Sequence, residues 1–299
     1  MDIKSALTWG GEALGAAGQE AARRDAEILL EAAAGKRRFE LFLDFSDELP
    51  VDVFHEYAGF IEKRARRMPV DYILGRTEFM SLPFYVDRGV LIPRKETEIL
   101  VERALKTLDS RHKIIDLGTG SANIAVSAAF YSGCAVYASD VSGQAVETAR
   151  ANAALNGVSC RVKFFEGDMF EPFRENMLGD FDMIISNPPY IKTGDMENPQ
   201  DESISYEPEI ALDGGKDGLG FYRGIIRESP AFLKEGGLLL FETGYGQAAA
   251  VRAMLEERGF NSRAYKDYSG IDRVVEGLLT GKTGSHSFRF KYAGGGAFG

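Results

Sequence analysis

The chain has 299 residues, 44% of them hydrophobic, which suits one large globular domain with a smaller one attached. Its formal net charge of −10 gives a polyanion no general electrostatic help, so broad nucleic-acid binding is disfavoured. Two cysteines (Cys134, Cys160) and three scattered histidines (His55, His112, His286) exclude a disulfide framework, a metal-ligand spacing and a catalytic triad.

Each cysteine lies in an apolar, strand-like stretch and is expected to be a buried free thiol in a reducing compartment. The N-terminus lacks a signal-peptide pattern, and no run of about 20 apolar residues occurs. A soluble, cytoplasmic protein that does not enter a membrane is expected. The basic runs Lys36-Arg37-Arg38 and Lys63-Arg64-Ala65-Arg66-Arg67 read as solvated helix faces.

Residues 1–78 read as helices. Val53, Phe54, Tyr57, Phe60 and Ile61 recur at helical steps, with Glu56, Glu62 and Lys63 on the other faces. Ala26, Leu29, Leu30 and Ala33 repeat the pattern up to Gly35, and Pro50 with Ser46-Asp47-Glu48 separates two helices. The result is a small bundle with no catalytic pattern of its own, suited to substrate recognition. Over residues 79–93, Phe84-Tyr85-Val86 and Val90-Leu91-Ile92 flank Asp87-Arg88-Gly89 and predict a short hairpin connector. Pro93 begins the stretch Arg94-Lys95-Glu96-Thr97-Glu98, which enters the helical pattern Ile99, Leu100, Val101, Ala104, Leu105.

Residues 94–280 alternate strand and helix, as in a doubly wound α/β sheet. The predicted strands are Ile114-Ile115, Ala135–Asp140, Arg161–Phe165, Phe181–Ser186, Leu238–Glu242 and Arg273–Leu278. One helix is expected from about Asn123 to Tyr131, another through Ala145, Ala149 and Ala153. A long polar segment from Ile191 to Lys216 precedes a third, and loops of that length in a compact domain are usually functional. Residues 281–299, Gly-rich and aperiodic, read as a flexible tail.

The chemistry gathers at strand ends. Gly118-Thr119-Gly120-Ser121-Ala122 lets the backbone approach a ligand closely and opens a helix N-terminus beneath it. It lacks the Gly-Lys-Ser/Thr of a phosphate loop, and Asn123 replaces a glycine of the dinucleotide fingerprint. Asp140 ends the next strand, where a carboxylate can accept both hydroxyls of a ribose. Asp168 follows the third strand and can accept from an adenine amino group, with Met169 against the ring. Singly, each carboxylate reads better as a cap or turn residue; together they point to an adenosine compound. Asn187-Pro188-Pro189-Tyr190 ends the fourth strand, its prolines fixing the exit turn.

This set resembles the S-adenosylmethionine-dependent methyltransferases, and the Asn-Pro-Pro-Tyr tetrad resembles those that methylate an amide or exocyclic nitrogen. It is most similar to the protein-(glutamine) methyltransferases of peptide-chain release factors. Their hallmarks stand as Pro69-Val70-Asp71-Tyr72-Ile73-Leu74-Gly75, Leu91-Ile92-Pro93-Arg94 with Thr97-Glu98, and Asp116-Leu117-Gly118-Thr119-Gly120. Tyr206-Glu207-Pro208 and Gly270-Ile271-Asp272-Arg273-Val274 also match, so the resemblance covers nearly everything before the tail.

The resemblance implies a seven-stranded Rossmann-like methyltransferase domain preceded by the helical bundle and hairpin. It implies S-adenosylmethionine as cofactor, held by Gly118, Thr119, Gly120, Ser121, Ala122, Asp140, Asp168, Met169 and Asn187. Release factors are the implied partner, their Gly-Gly-Gln glutamine bound by Asn187, Pro188, Pro189 and Tyr190, of which Asn187, Pro188 and Tyr190 are catalytic. A monomer without metal or direct nucleic-acid binding is expected. Ala122 departs from the family's third glycine; its methyl is expected to crowd the cofactor mildly, and alanine survives there if φ is negative. Arg94 and Glu98 read either as pocket residues or as surface charges at a helix start. Two other readings stay open: an amino-group methyltransferase of adenine or cytosine in nucleic acid, and a catalytically silent binding module.

Overall fold

The computed structural model describes residues 1–175, 177–196 and 202–280. Its N-terminal part comprises α1 (Ile3–Ala16), α2 (Ala22–Ala34), α3 (Arg38–Leu43), α4 (Val51–Ala65) and α5 (Val70–Leu74). Asp2 caps α1 by accepting the Ser5 N–H at 2.7 Å. Gly35 and Gly75 end α2 and α5 in the left-handed conformation, at φ 61° and 67°. Apolar residues three and four apart on α1, α2 and α4, among them Leu14, Leu29, Leu30, Tyr57 and Ile61, share one core.

The hairpin lies upstream of its expected place. Its strands are β1 (Arg76–Phe79) and β2 (Leu82–Tyr85), paired antiparallel, whereas Val90–Ile92 forms no strand. The tight turn is Met80-Ser81, both left-handed at φ 51° and 58°, a conformation usually signalled by Asn or Gly. Outside contacts replace that signal: Met80 N–H donates to Glu98 Oε1 at 2.7 Å, and the Tyr131 hydroxyl donates to the Met80 carbonyl.

Next come α6 (Lys95–Leu105), β3 (Lys113–Leu117), α7 (Asn123–Ser132), β4 (Ala135–Asp140), α8 (Gly143–Leu155), β5 (Val162–Glu166) and β6 (Phe181–Ser186). After the long loop follow α9 (Gly220–Glu228), β7 (Leu233–Glu242), α10 (Ala248–Glu257), β8 (Phe260–Lys266) and β9 (Asp272–Leu279). The seven-stranded sheet has the order β5-β4-β3-β6-β7-β9-β8, with β9 antiparallel to both neighbours. Its inner strands are buried on both faces: Ile114, Ile185 and Leu240 pack with α6, α7 and α8, while Ile115, Ile184 and Leu239 pack with α9 and α10.

The chain leaves β3 for β4 on one side and later returns to β6 on the other. The carboxyl ends of β3 and β6 therefore border the switch point where ligands of open α/β sheets bind. Ser186 Oγ ties the two ends together by donating to the Leu117 carbonyl at 2.8 Å.

Two expectations are corrected. Cys134 is buried, but Cys160 is exposed in the turn before β5. β8 shows no strand pattern in the sequence, because its polar Asn261, Ser262 and Arg263 dilute the period of an edge strand that pairs on one side only. The expected flexible tail, 281–299, lies outside the described residues. Among those residues no helix is long and apolar enough to cross a membrane.

Candidate active site

The Gly-rich turn is built from backbone. Gly118 and Thr119 N–H groups both donate to the Ser139 carbonyl, at 2.9 and 3.0 Å, which folds the end of β3 over β4. Gly118 and Gly120 are left-handed, at φ 68° and 54°, and a Cβ on either would meet no atom within 4 Å. Their bare backbone thus faces open space. Thr119 and Ser121 are buried, and Thr119 Oγ1 donates to Asp116 Oδ2 at 2.6 Å. Burial pushes the Asp116 carboxyl up to about 7, against the Thr119 and Ala125 hydrogen bonds and with help from Asp140.

Ala122 has φ +62°, not the negative value expected, and its side chain is wholly buried in the core beneath the turn. Its methyl therefore packs inward and does not crowd a ligand in front of the turn. A left-handed L-residue costs about 1–2 kcal/mol, so the strain is local and tolerable.

Asp140 Oδ2 accepts the Gly120 N–H at 2.8 Å and Oδ1 accepts the Ser142 N–H at 2.9 Å. Each oxygen keeps a second lone pair for a ribose hydroxyl. Asp168 is exposed after β5, and Met169 is left-handed at φ 46° with its carbonyl accepting from Ser139 Oγ at 2.8 Å. Strained non-glycine residues of this kind concentrate at ligand sites.

On the other bank, Asn187, Pro188 and Tyr190 line a pocket with Leu91 from the connector, Arg94 at the start of α6, and Ile204, Glu207 and Leu212 from the long loop. Asn187 Nδ2 donates to Thr97 Oγ1 at 3.2 Å, and Thr97 Oγ1 donates to Glu242 Oε2 at 2.6 Å. Among the described residues no group donates to Asn187 Oδ1 or to the Pro188 carbonyl. Two acceptors thus stand together at the end of β6.

Tyr190 is caged by glycines. A Cβ on Gly214 or Gly218 would come within 2.7 or 2.4 Å of Tyr190 backbone, and one on Gly244 within 2.9 Å of its ring. Gln247 Nε2 donates to the Tyr190 carbonyl at 2.9 Å while its Oε1 accepts the Gly244 N–H at 3.0 Å. Burial, with Glu242 nearby, pushes the Tyr190 phenol up to about 12, so it is neutral at physiological pH.

The loop after Tyr190 closes on itself: Ile191 N–H donates to the Leu212 carbonyl at 3.0 Å, and Gly214 N–H to the Ile191 carbonyl at 2.7 Å. Arg94 is a pocket residue, paired with Glu207. Glu98 instead holds the hairpin turn.

The PrmC N-terminal domain family matches residues 5–75, and the methyltransferase small domain family matches residues 94–206. A release factor glutamine methyltransferase from Geobacter sulfurreducens is 43% identical over 281 residues, 93% of this chain and 96% of that one. The chain belongs to the release factor glutamine methyltransferase family. A family member from Neisseria gonorrhoeae is 41% identical over 255 residues, 85% of this chain and 92% of its own. A solved methyltransferase from Pyrococcus furiosus, 16% identical, aligns with a TM-score of 0.52 over 68% of this chain and 91% of that one, a likeness of fold alone.

S-adenosylmethionine is the methyl donor of a release factor glutamine methyltransferase, and the residues present fit it. The turn offers bare backbone, and the ends of β4 and β5 offer carboxylates with acceptor capacity to spare. The groups that hold this site carry little signal in the sequence. Gln247 and Asn152 carry no local motif; Asn152 Nδ2 bridges the Tyr85 and Ser121 carbonyls at 3.0 and 2.9 Å, tying hairpin to turn. Glu242 carried a usable signal: like Asp140, it is an acid at the C-terminal end of a parallel strand.

Proposed function

We propose that the chain transfers a methyl group from S-adenosylmethionine to the side-chain amide nitrogen of the glutamine in the Gly-Gly-Gln motif of release factors. The observation that carries this reading is the pair of acceptors, Asn187 Oδ1 and Pro188 O, without a protein donor among the described residues. An amide –NH2 has two N–H groups to give, and the pair matches it.

Gly118, Gly120, Asp140, Asp168 and Met169 hold the cofactor, with Thr119, Ser121 and Ala122 shaping the turn from within and Asn187 at the border between cofactor and substrate. Bound there, it supplies an electrophilic methyl group on a positively charged sulfur. An amide nitrogen is a weak nucleophile because its lone pair is delocalised into the carbonyl. Asn187 Oδ1 and Pro188 O each accept one N–H, which orients the nitrogen and stabilises the positive charge that gathers on it. Tyr190, neutral and caged, packs on the amide plane, while Pro188 and Pro189 keep the backbone from yielding. The extra proton leaves to water, so no strong base is required.

In the same reading, residues 1–78 recognise the release factor and residues 79–93 connect them to the methyltransferase domain. The enzyme acts as a cytoplasmic monomer without direct nucleic-acid binding, which the net charge of −10 supports. Asn187→Ala tests the reading. Loss of one preorganised hydrogen bond to developing charge lowers kcat by about 100- to 1000-fold; unchanged turnover would overturn it.

A further inference from the structure

We propose that Thr97 and Glu242 are positioning residues that hold the Asn187 amide with its oxygen toward the substrate. The inference rests on the reading of Asn187 as acceptor of the glutamine amide.

Oxygen and nitrogen ends of an asparagine amide are nearly the same size, so packing alone does not choose between them. Only one orientation serves transfer, because a flipped Asn187 would aim donors at a substrate group that is itself a donor. The choice is made by chemistry behind the residue. Thr97, in the first turn of α6, and Glu242, at the end of β7, are each 1% exposed. A hydroxyl has one proton to give, and Thr97 gives it to Glu242 Oε2 at 2.6 Å. An ionised carboxylate accepts only, so this direction holds as long as Glu242 is ionised. Thr97 Oγ1 can then only accept from Asn187, and the end it meets at 3.2 Å is Nδ2. A flipped amide would set oxygen against oxygen and lose the bond. Three elements, α6, β6 and β7, thus converge on one side-chain orientation.

The chain of bonds has a polarity that depends on the Glu242 proton. A protonated Glu242 can donate to Thr97, whose own proton is then free to turn to Asn187 Oδ1, and the preferred amide orientation reverses. Burial pushes Glu242 up to about 7; the Thr97 hydrogen bond, Arg273 and Arg94 oppose this and Glu96 adds to it. Tyr190 and Tyr222, the other titratable groups beside it, are both held above their ordinary values and stay neutral.

The test combines kinetics on a purified release factor with NMR of the free protein. Thr97→Val, of nearly the same shape, is expected to lower kcat by about 10- to 100-fold. S-adenosylmethionine affinity by calorimetry stays unchanged, and Thr97→Ser restores kcat. In wild type, kcat falls as pH drops through about 7, and Glu242→Gln flattens that limb. The Asn187 side-chain NH2 resonances, assigned by their loss in Asn187→Ala, shift in Thr97→Val without substrate or cofactor. A Thr97→Val enzyme with wild-type kcat, or unmoved Asn187 resonances, would overturn the proposal while leaving Asn187 as acceptor. A wild-type protein that leaves release factors unmethylated overturns the functional reading itself, and the positioning role with it.

Discussion

Arg94 Nη2 donates to both carboxylate oxygens of Glu207, at 2.9 and 2.8 Å, and the Glu207 side chain is fully buried. Arg94 caps the start of α6 and Glu207 belongs to the long loop, so the pair fastens the loop to α6 across the pocket that both line. Tyr206 extends the clasp: its hydroxyl donates to the Arg66 carbonyl and its ring lies 5.0 Å from the Arg88 guanidinium. Glu207→Ala removes charge-assisted bonds worth about 1.5–3 kcal/mol, discounted here because Arg94 is 31% exposed and can turn to water. The expected outcome is a raised KM for the release factor with unchanged S-adenosylmethionine affinity, read by steady-state kinetics and calorimetry. Unchanged KM would show that the clasp has no part in substrate binding.

Gly244→Ala tests the cage around Tyr190. The new methyl would lie 2.8 Å from Gln247 Oε1 and 2.9 Å from the Tyr190 ring, closer than real Cβ contacts run. Either the Gln247 bond to the Tyr190 carbonyl breaks or the ring shifts, and a displacement near 1 Å of a positioning group costs about 100-fold. A kcat loss of that order without change in cofactor affinity is expected from single-turnover assays.

Ala122→Gly is expected to change little. Relief of a left-handed alanine gains about 1–2 kcal/mol. Against it stand about 0.4–1 kcal/mol of unfolded-chain entropy and about 0.8 kcal/mol for the buried methyl. Urea unfolding should place the variant within about 1 kcal/mol of the parent. A large gain in cofactor affinity would contradict a methyl that points into the core.

The strand ends were legible because each ends in a residue with a distinct chemical role. β4 and β6 run over Ala135–Asp140 and Phe181–Ser186, as their apolar patterns predict. What was not legible depends on distant partners. The Met80-Ser81 turn has no turn residues and is held by Glu98 and Tyr131, whereas Asp87-Arg88-Gly89 carries the turn chemistry without forming the hairpin. The φ of Ala122 likewise follows from how the turn folds over β4, which no local pattern records. Thr97 and Glu242 are 145 positions apart, and only the sheet brings them together behind Asn187.

Asp116 makes stability depend on pH. Its folded pKa is about 7, above the ordinary 3.8, so between these values the native state keeps a proton that the unfolded chain releases. Stability therefore falls as pH rises through that window and levels off above it, by on the order of a few kcal/mol. Glu242, raised from 4.5 to about 7, adds to the same decline, so Asp116→Asn, which can still accept from Thr119, should make it shallower without abolishing it in thermal melts between pH 5 and 7. An equal slope in both proteins would place the effect elsewhere.

The most direct measurement is mass spectrometry of a purified release factor after incubation with this protein and S-adenosylmethionine. A gain of one methyl group on the glutamine of Gly-Gly-Gln is expected, lost with Asn187→Ala while cofactor binding persists. A methyl group on another residue, or none from a protein that binds the cofactor, would contradict it.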